Sequence, residues 1–270
     1  MTMLLEHASG VAAPNAAPAA EHTIEIRDIH KKFGSSHILR GLSVDFKDDA
    51  ITTVLGPSGT GKSVLLKHIV GLLEPDAGEV RVFGTDIWRV SEIERYELRK
   101  RFGVLFQDGA LFGSMNIYDN VAFPLRKHTD KSEDEIREIV MSNLQEVGLE
   151  GAIHKAPNEI SGGMRKRAGF ARALVMRPDV VLFDEPDSGL DPVRTKLLSQ
   201  LISQVHQEHG GTYIVITHDI PTARTVSDYV AVIWKGQMVH YGDADGAFGS
   251  DDPFVRQFLA GDAVGPLGMD

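Results

Sequence analysis

Residues 51–63 read ITTVLGPSGTGKS: an uncharged apolar run that closes on glycine and leads into G-x-x-x-x-G-K-S. A continuous apolar run is what a strand buried on both faces of a parallel sheet requires. The loop from Gly56 to Ser63 matches the phosphate-binding motif in full and sits between a strand and a helix, the context that gives the motif its meaning. Gly56, Gly59 and Gly61 let the backbone curl until its N–H groups converge on phosphate oxygens. The helix opening near Lys62 adds its positive N-terminal end. Lys62 is placed to reach the β- and γ-phosphates, and the Ser63 hydroxyl to hold Mg²⁺. The expected ligands are therefore ATP and Mg²⁺, contacted by Gly56, Pro57, Ser58, Gly59, Thr60, Gly61, Lys62, Ser63 and Val64.

Outward from this loop, order is expected to begin near Thr23. TIEIRDI alternates apolar and polar residues as a half-buried strand does, and HILRGLSVDF repeats the pattern. The helix after Lys62 has Val64, Leu65, Ile69 and Leu72 for an apolar face. EVRVFG and RFGVLFQ read as further strands. Between about 108 and 178 the character changes. DKSEDEIREIVMSNLQEVGL carries Ile136, Val140, Leu144 and Val147 at helical spacing, with Ser132 and Glu135 forming a capping box. A second helix should run from Ser161 to Val175. Strands then return in DVVLFD, TYIVIT and YVAVIW, with the amphipathic TKLLSQLISQVHQEH among them. The fold class is α/β: a P-loop (RecA-like) parallel sheet with an antiparallel β subdomain and an inserted α-helical subdomain. The expected layout is an Ala/Pro-rich disordered tail at 1–22, one nucleotide-binding domain at 23–250, and a C-terminal extension at 251–270. The tail has a second reading as a partner-binding arm. The extension, with a short helix at about Pro253 to Leu259, packs on its own domain or reaches another protomer.

The composition is ordinary for a soluble globular protein. Of 270 residues, 42% are hydrophobic and 24% charged, ample for a core. A net charge of -10 argues against a nucleic-acid partner, which needs a basic surface. There is no cysteine, which removes disulfides, thiolate metal sites and Cys nucleophiles. No apolar run approaches the ~18 residues of a membrane span. The N-terminus lacks the basic region and long apolar core of a signal peptide.

VVLFDEP is an apolar strand ending in two carboxylates. Asp184 at the strand end suits an Mg²⁺ contact through water, and Glu185 can polarise the attacking water. His218, after YIVIT, is at a strand end facing the same crevice, where open α/β sheets bind ligands. Gln107 closes GVLFQ, and its amide can touch Mg²⁺ or the water. The candidate catalytic set is Glu185, His218, Gln107 and Lys62, and the candidate metal set Ser63, Gln107 and Asp184. ISGGMRKR then opens a helix with Ser161 as N-cap and Gly162 and Gly163 allowing close backbone approach. This makes a second anion-binding end. One nucleotide does not need two such cradles in one chain, whereas two chains facing head to tail do.

In this order the motifs resemble those of ABC ATPases over nearly the whole ordered length: Walker A GPSGTGKS, Q-loop Gln107, signature SGGM, Walker B VVLFDE, D-loop SGLD ending at Asp191, and switch His218. The resemblance implies that Phe33 in KKFG stacks on adenine, a contact worth about 1–3 kcal/mol by analogy with base stacking. It implies that Asp191 lies at a dimer seam and that Pro192 starts the next helix. It places Ser161, Gly162 and Gly163 on the partner's nucleotide in an ATP-sandwich dimer. The signature departs from the usual SGGQ at Met164, which cannot donate the amide hydrogen bonds of Gln. SGGMRKRAGFARAL, FQDGALFGSMNIYDNVAFPLRKH and DEPDSGLDPVR are similar to the ATPases of Mce/Mla-type lipid transporters, in particular the Mkl (MceG-like) group. That resemblance implies two copies under integral-membrane permease subunits, with Mce or substrate-binding proteins in the complex. It implies a peripheral position on the cytoplasmic face of the inner membrane, and a helical block that receives the permease's coupling helix. Two alternatives share the catalytic residues: an importer ATPase for a small polar solute and a soluble ABC ATPase outside transport.

Overall fold

The computed structural model describes residues 22–107, 109–262 and 264–266. The expected tail lies outside the described residues except for His22, as do residues 267–270 of the C-terminal extension.

The central sheet has six strands in the order β10-β9-β3-β8-β7-β6. These are β3 (Ile51–Leu55), β6 (Phe102–Leu105), β7 (Val180–Asp184), β8 (Thr212–Ile216), β9 (Tyr229–Trp234) and β10 (Gln237–Asp243). All neighbours are parallel except the edge strand β10, which runs antiparallel to β9. A second, antiparallel sheet has the order β2-β1-β4-β5, from β1 (Ile24–Phe33), β2 (Ser36–Phe46), β4 (Ala77–Val82) and β5 (Thr85–Asp86). The helices are α1 (Lys62–Ile69), α2 (Glu92–Arg99), α3 (Ile117–His128), α4 (Glu133–Glu146), α5 (Gly162–Leu174), α6 (Pro192–His209), α7 (Ile220–Val226), α8 (Ala244–Phe248) and α9 (Pro253–Ala260).

The apolar runs of β7 and β8 are explained by burial on both faces. Val180, Leu182, Ile214 and Ile216 pack with α1 and the antiparallel sheet. Their alternates Val181, Phe183, Tyr213 and Val215 pack with helices α3 to α6. Each such side chain contributes about 1.5–3 kcal/mol when fully buried. A third cluster joins Leu55, Val230 and Val232 to Val255 and Leu259. Helix α9 therefore packs on its own domain, as the first of the two C-terminal readings holds.

Helix α4 starts as its sequence dictates: the Ser132 hydroxyl accepts from the Glu135 N–H and the Glu135 carboxylate accepts from the Ser132 N–H. Helix α5 has Ser161 as its N-cap, accepting from the Met164 N–H at 3.3 Å. Helix α1 is shorter than the apolar spacing implied. It ends at Ile69, and Gly71 at φ 71° turns the chain away. Leu72, expected on the apolar face, lies beyond that turn and is 55% exposed. Among the described residues, no helix is long and apolar enough to cross a membrane.

Candidate active site

The C-terminal ends of β3, β6, β7 and β8 bring most of the candidate residues together. The loop after β3 needs glycine at two positions for different neighbours. A Cβ on Gly56 would stand 2.4 Å from the Ile233 carbonyl oxygen, and one on Gly61 2.7 Å from a Leu39 methyl. Both have positive φ, 154° and 103°, so any side chain would also be strained. Gly61 is the N-cap of α1, whose first residue is Lys62. The Lys62 ammonium is buried and donates to the carbonyls of Gly56 at 2.7 Å and Pro57 at 2.9 Å. Burial lowers its proton affinity, while the carboxylates of Glu185 and Asp184 work the other way.

The Ser63 hydroxyl donates to Asp184 at 2.9 Å, joining the first turn of α1 to the end of β7. Burial raises the Asp184 pKa above the ordinary carboxylate value; the Ser63 bond opposes this and the neighbouring Glu185 adds to it. Glu185 leaves the strand in left-handed backbone geometry, φ 50°, and its N–H donates to the Ile216 carbonyl at 2.9 Å. That conformation costs a non-glycine residue on the order of 1–3 kcal/mol and persists only where its surroundings hold it. The Glu185 carboxylate stands between two other candidates. Gln107 donates to it at 3.4 Å and to the Ser188 hydroxyl at 3.2 Å. The His218 Nδ1 is 3.7 Å from its other oxygen, beyond hydrogen-bond reach. Gln107 lies just beyond the end of β6 at Leu105, not within it.

Phe33, 49% exposed at the end of β1, shares a cavity of ≈ 300 Å³ with Ser58, Gly61, Ser63, Val64 and Glu185. Ser161 and Gly163 line a different cavity, of ≈ 490 Å³, with Met164, Leu190, Arg194 and Leu197. One chain thus separates the candidates into two groups, the P-loop set and the helix-end set. Asp191 is exposed and caps α6, accepting from the N–H groups of Val193 at 3.1 Å and Arg194 at 3.0 Å, with Pro192 as the first helical residue.

Three residues of the surroundings did not emerge from the motifs. Buried Asp187 holds both carboxylate oxygens 2.8 and 2.9 Å from the Thr217 hydroxyl, linking the turn after Glu185 to the residue before His218. Burial raises its pKa, opposed by that hydroxyl. Lys166 of α5 donates to the carbonyls of Glu185, at 3.3 Å, and Ser188. The signal for Asp187 and Thr217 was their adjacency to Glu185 and His218; nothing in the spacing marks Lys166.

The family model described as "ABC transporter" matches residues 39–188. A relative from Mycobacterium leprae, named as a probable ribonucleotide transport ATP-binding protein mkl, is 54% identical over 246 residues, covering 91% of this chain and 71% of that protein. The Escherichia coli K12 protein named intermembrane phospholipid transport system ATP-binding protein MlaF is 41% identical over 244 residues, covering 90% and 91%. Among solved structures, cbiO1 from Clostridium perfringens, part of an ABC transporter complex, superposes with a TM-score of 0.77 at 31% identity, covering 85% of this chain and 91% of that one. The ATP-binding cassette MJ0796, a dimer in a post-hydrolysis state bound to ADP and Pi, gives a TM-score of 0.75 at 28% identity, covering 82% and 98%. With a P-loop, a strand-end carboxylate pair and these relatives, the chain belongs to the ABC transporter family, as an ATP-binding and ATP-hydrolysing subunit.

Proposed function

We propose that the chain powers Mce/Mla-type lipid or sterol transport across the cell envelope, working as a head-to-tail pair beneath integral-membrane permease subunits. The observation that carries this reading is the phospholipid-transport name of relatives that align over nine-tenths of both chains, such as the Haemophilus influenzae MlaF at 42% identity. It agrees with Met164 in the signature and with the FQDGALFGSMNIYDN neighbourhood.

In this reading the N–H groups of Gly59 to Ser63 take the ATP phosphates, and Lys62 exchanges its two carbonyl acceptors for β- and γ-oxygens. Phe33 stacks on the adenine. The Ser63 hydroxyl and Asp184, with Gln107, form an oxygen donor set that fits Mg²⁺, Asp184 acting through water. When bound, that ion neutralises charge on the β- and γ-phosphates. Glu185 orients the attacking water and accepts its hydrogen bond, with His218 and Gln107 fixing the geometry. The water oxygen bonds to the γ-phosphorus, the bond to the β-phosphate oxygen breaks, and ADP and phosphate leave. Ser161, Gly162 and Gly163 close over the partner's nucleotide with Asp191 at the seam. The cavity of ≈ 600 Å³ lined by Met115, Asn116, Phe123 and Arg126 offers a place for a permease segment. Mce or substrate-binding proteins complete the complex, and the chain sits peripherally on the cytoplasmic face of the inner membrane.

The mkl relative's name favours a second reading, in which the cargo is a small polar solute such as a ribonucleotide. Co-expression with candidate permeases, purification in lipid nanodiscs and assay of ATPase stimulation separate the two. Lipid carried through purification and lipid-stimulated turnover are expected. A complex stimulated by ribonucleotides and indifferent to lipid would refute the lipid reading.

A further inference from the structure

Helix α5 carries more than its N-terminal end. Lys166 lies just over one turn in and is 6% exposed, so its ammonium has left water behind. A buried ammonium persists only where acceptors replace that water. Two of those acceptors are the carbonyls of Glu185 and Ser188, and the Ser188 N–H also donates to the Glu185 carbonyl, at 3.2 Å. One cation therefore closes both ends of the turn that begins at Glu185. The same helix grips the loop after Gln107. Arg172 donates to the carbonyls of Gly109 at 3.0 Å and Ala110 at 2.8 Å. A Cβ on Gly169 would stand 2.9 Å from the Gly109 carbonyl oxygen, so the loop and α5 are in direct backbone contact. The strained backbone at Glu185, φ 50°, is held in part by a residue of the signature helix.

We propose that Lys166 is a positioning residue through which the Ser161 end of α5 sets the Glu185 turn of the same chain. In a head-to-tail pair, the nucleotide engaged by one subunit's Ser161 end would then tune hydrolysis at that subunit's own P-loop. This rests on the pairing proposed above. A helix moves as a rigid rod over such distances, so a shift at Ser161 arrives at Lys166 undiminished. There it acts on the peptide unit joined directly to the Glu185 Cα.

The test compares Lys166→Met, which keeps an unbranched stem without donors, and Lys166→Arg, which restores charge and donors, in the full chain. Steady-state ATPase is measured against ATP concentration, with thermal unfolding of each variant. For Lys166→Met, kcat is expected to fall roughly tenfold, equivalent to ~1.4 kcal/mol. KM should stay within about twofold, since uniform binding is untouched. The Hill coefficient should drop towards about 1 from a higher wild-type value. Lys166→Arg should recover both kcat and cooperativity. Wild-type kcat and Hill coefficient in Lys166→Met would overturn the proposal. So would equal losses in both variants that track a lowered thermal midpoint, which would make Lys166 a packing residue. The pairing is scored separately on Glu185→Gln with ATP and Mg²⁺ by gel filtration. A monomer there overturns the pairing and the inter-site coupling with it. A dimer there, with unimpaired Lys166→Met turnover and cooperativity, overturns the role of Lys166 alone.

Discussion

Replacing Thr217 by valine removes one hydroxyl and keeps the shape of the side chain. In the folded protein Thr217 is 0% exposed and Asp187 7% exposed, so water cannot freely take the hydroxyl's place. Both Asp187 oxygens lie within 2.9 Å of that hydroxyl, whose single proton serves them one at a time. Burial already raises the Asp187 pKa, Asp219 adds to that, and the Thr217 bond and His218 oppose it. Losing the bond raises the pKa further. The substitution is therefore most costly above the carboxyl's folded-state pKa, where an ionised group must stay buried with less support, and least costly below its unfolded value, where the group is neutral in both states. A hydrogen bond to a charged group contributes about 1.5–3 kcal/mol and a neutral one about 0.5–1.5. The expected loss is therefore about 2–3 kcal/mol at about pH 8 and about 1 at about pH 3.5, below the unfolded carboxyl value. For a domain of this size that is a fall in thermal midpoint of roughly 5–10 °C and roughly 2–4 °C respectively. Differential scanning fluorimetry of both proteins in matched buffers reads it directly. An equal shift at the two pH values, or a larger one at the lower pH, would refute the coupling of Thr217 to an ionised Asp187.

Glu185→Gln should slow ATP turnover by about 10²–10³-fold while ATP binding persists, because the amide cannot accept the water's proton; turnover within twofold or so of wild type in a phosphate-release assay would remove Glu185 from the chemistry. Lys62→Ala should weaken ATP binding by at least about tenfold in calorimetry, since the phosphates lose their only loop cation; unchanged affinity would place the nucleotide elsewhere. Asp184→Asn should abolish ATPase activity yet leave the nucleotide-free chain as stable or more stable at alkaline pH, because burial raises the Asp184 pKa and the folded state resists its ionisation. That gain should vanish as the pH falls below the unfolded carboxylate range, where both side chains are neutral. A lower midpoint for Asp184→Asn at alkaline pH would show that its charge stabilises the fold.

Much of the fold could be read from local pattern because here local pattern and tertiary burial agree. The apolar runs at Val180–Asp184 and Thr212–Ile216 are strands buried on both faces, and Ser132 with Glu135 caps a helix within the same few residues. Helix α2 begins with a capping box of Ser91 and Glu94 but gives a weak core signal, because none of its residues is fully buried and Ile93 is 77% exposed. Helix α3 was hidden by Pro124 in its interior, a residue that argues against a helix wherever packing does not override it. In the site, most motif residues were legible because they stand at or just beyond a strand end, or at a helix start. Lys166 was not. Its chemistry lies in two carbonyls of a turn some twenty residues along the chain, a contact that no spacing rule encodes.

The charges of the P-loop site are arranged for a ligand rather than for one another. Lys62 and Asp184 are groups of opposite charge beside the same loop, yet neither makes its hydrogen bonds to the other: Lys62 donates to two carbonyls and Asp184 accepts from Ser63. Each is pushed by burial towards its neutral form, Lys62 down and Asp184 up. A direct ion pair would have relieved both shifts and filled the position the phosphates need. Held apart, the ammonium gains most from an anion and the carboxylate from a cation, and a nucleotide with its divalent ion brings both at once. The same separation recurs on the larger scale. The helix end at Ser161 lines its own cavity, away from the loop of the same chain, and a second copy would bring an anion to it. Lys166 then joins the two within one subunit, so the residue that no motif marks is the one that ties the motifs together.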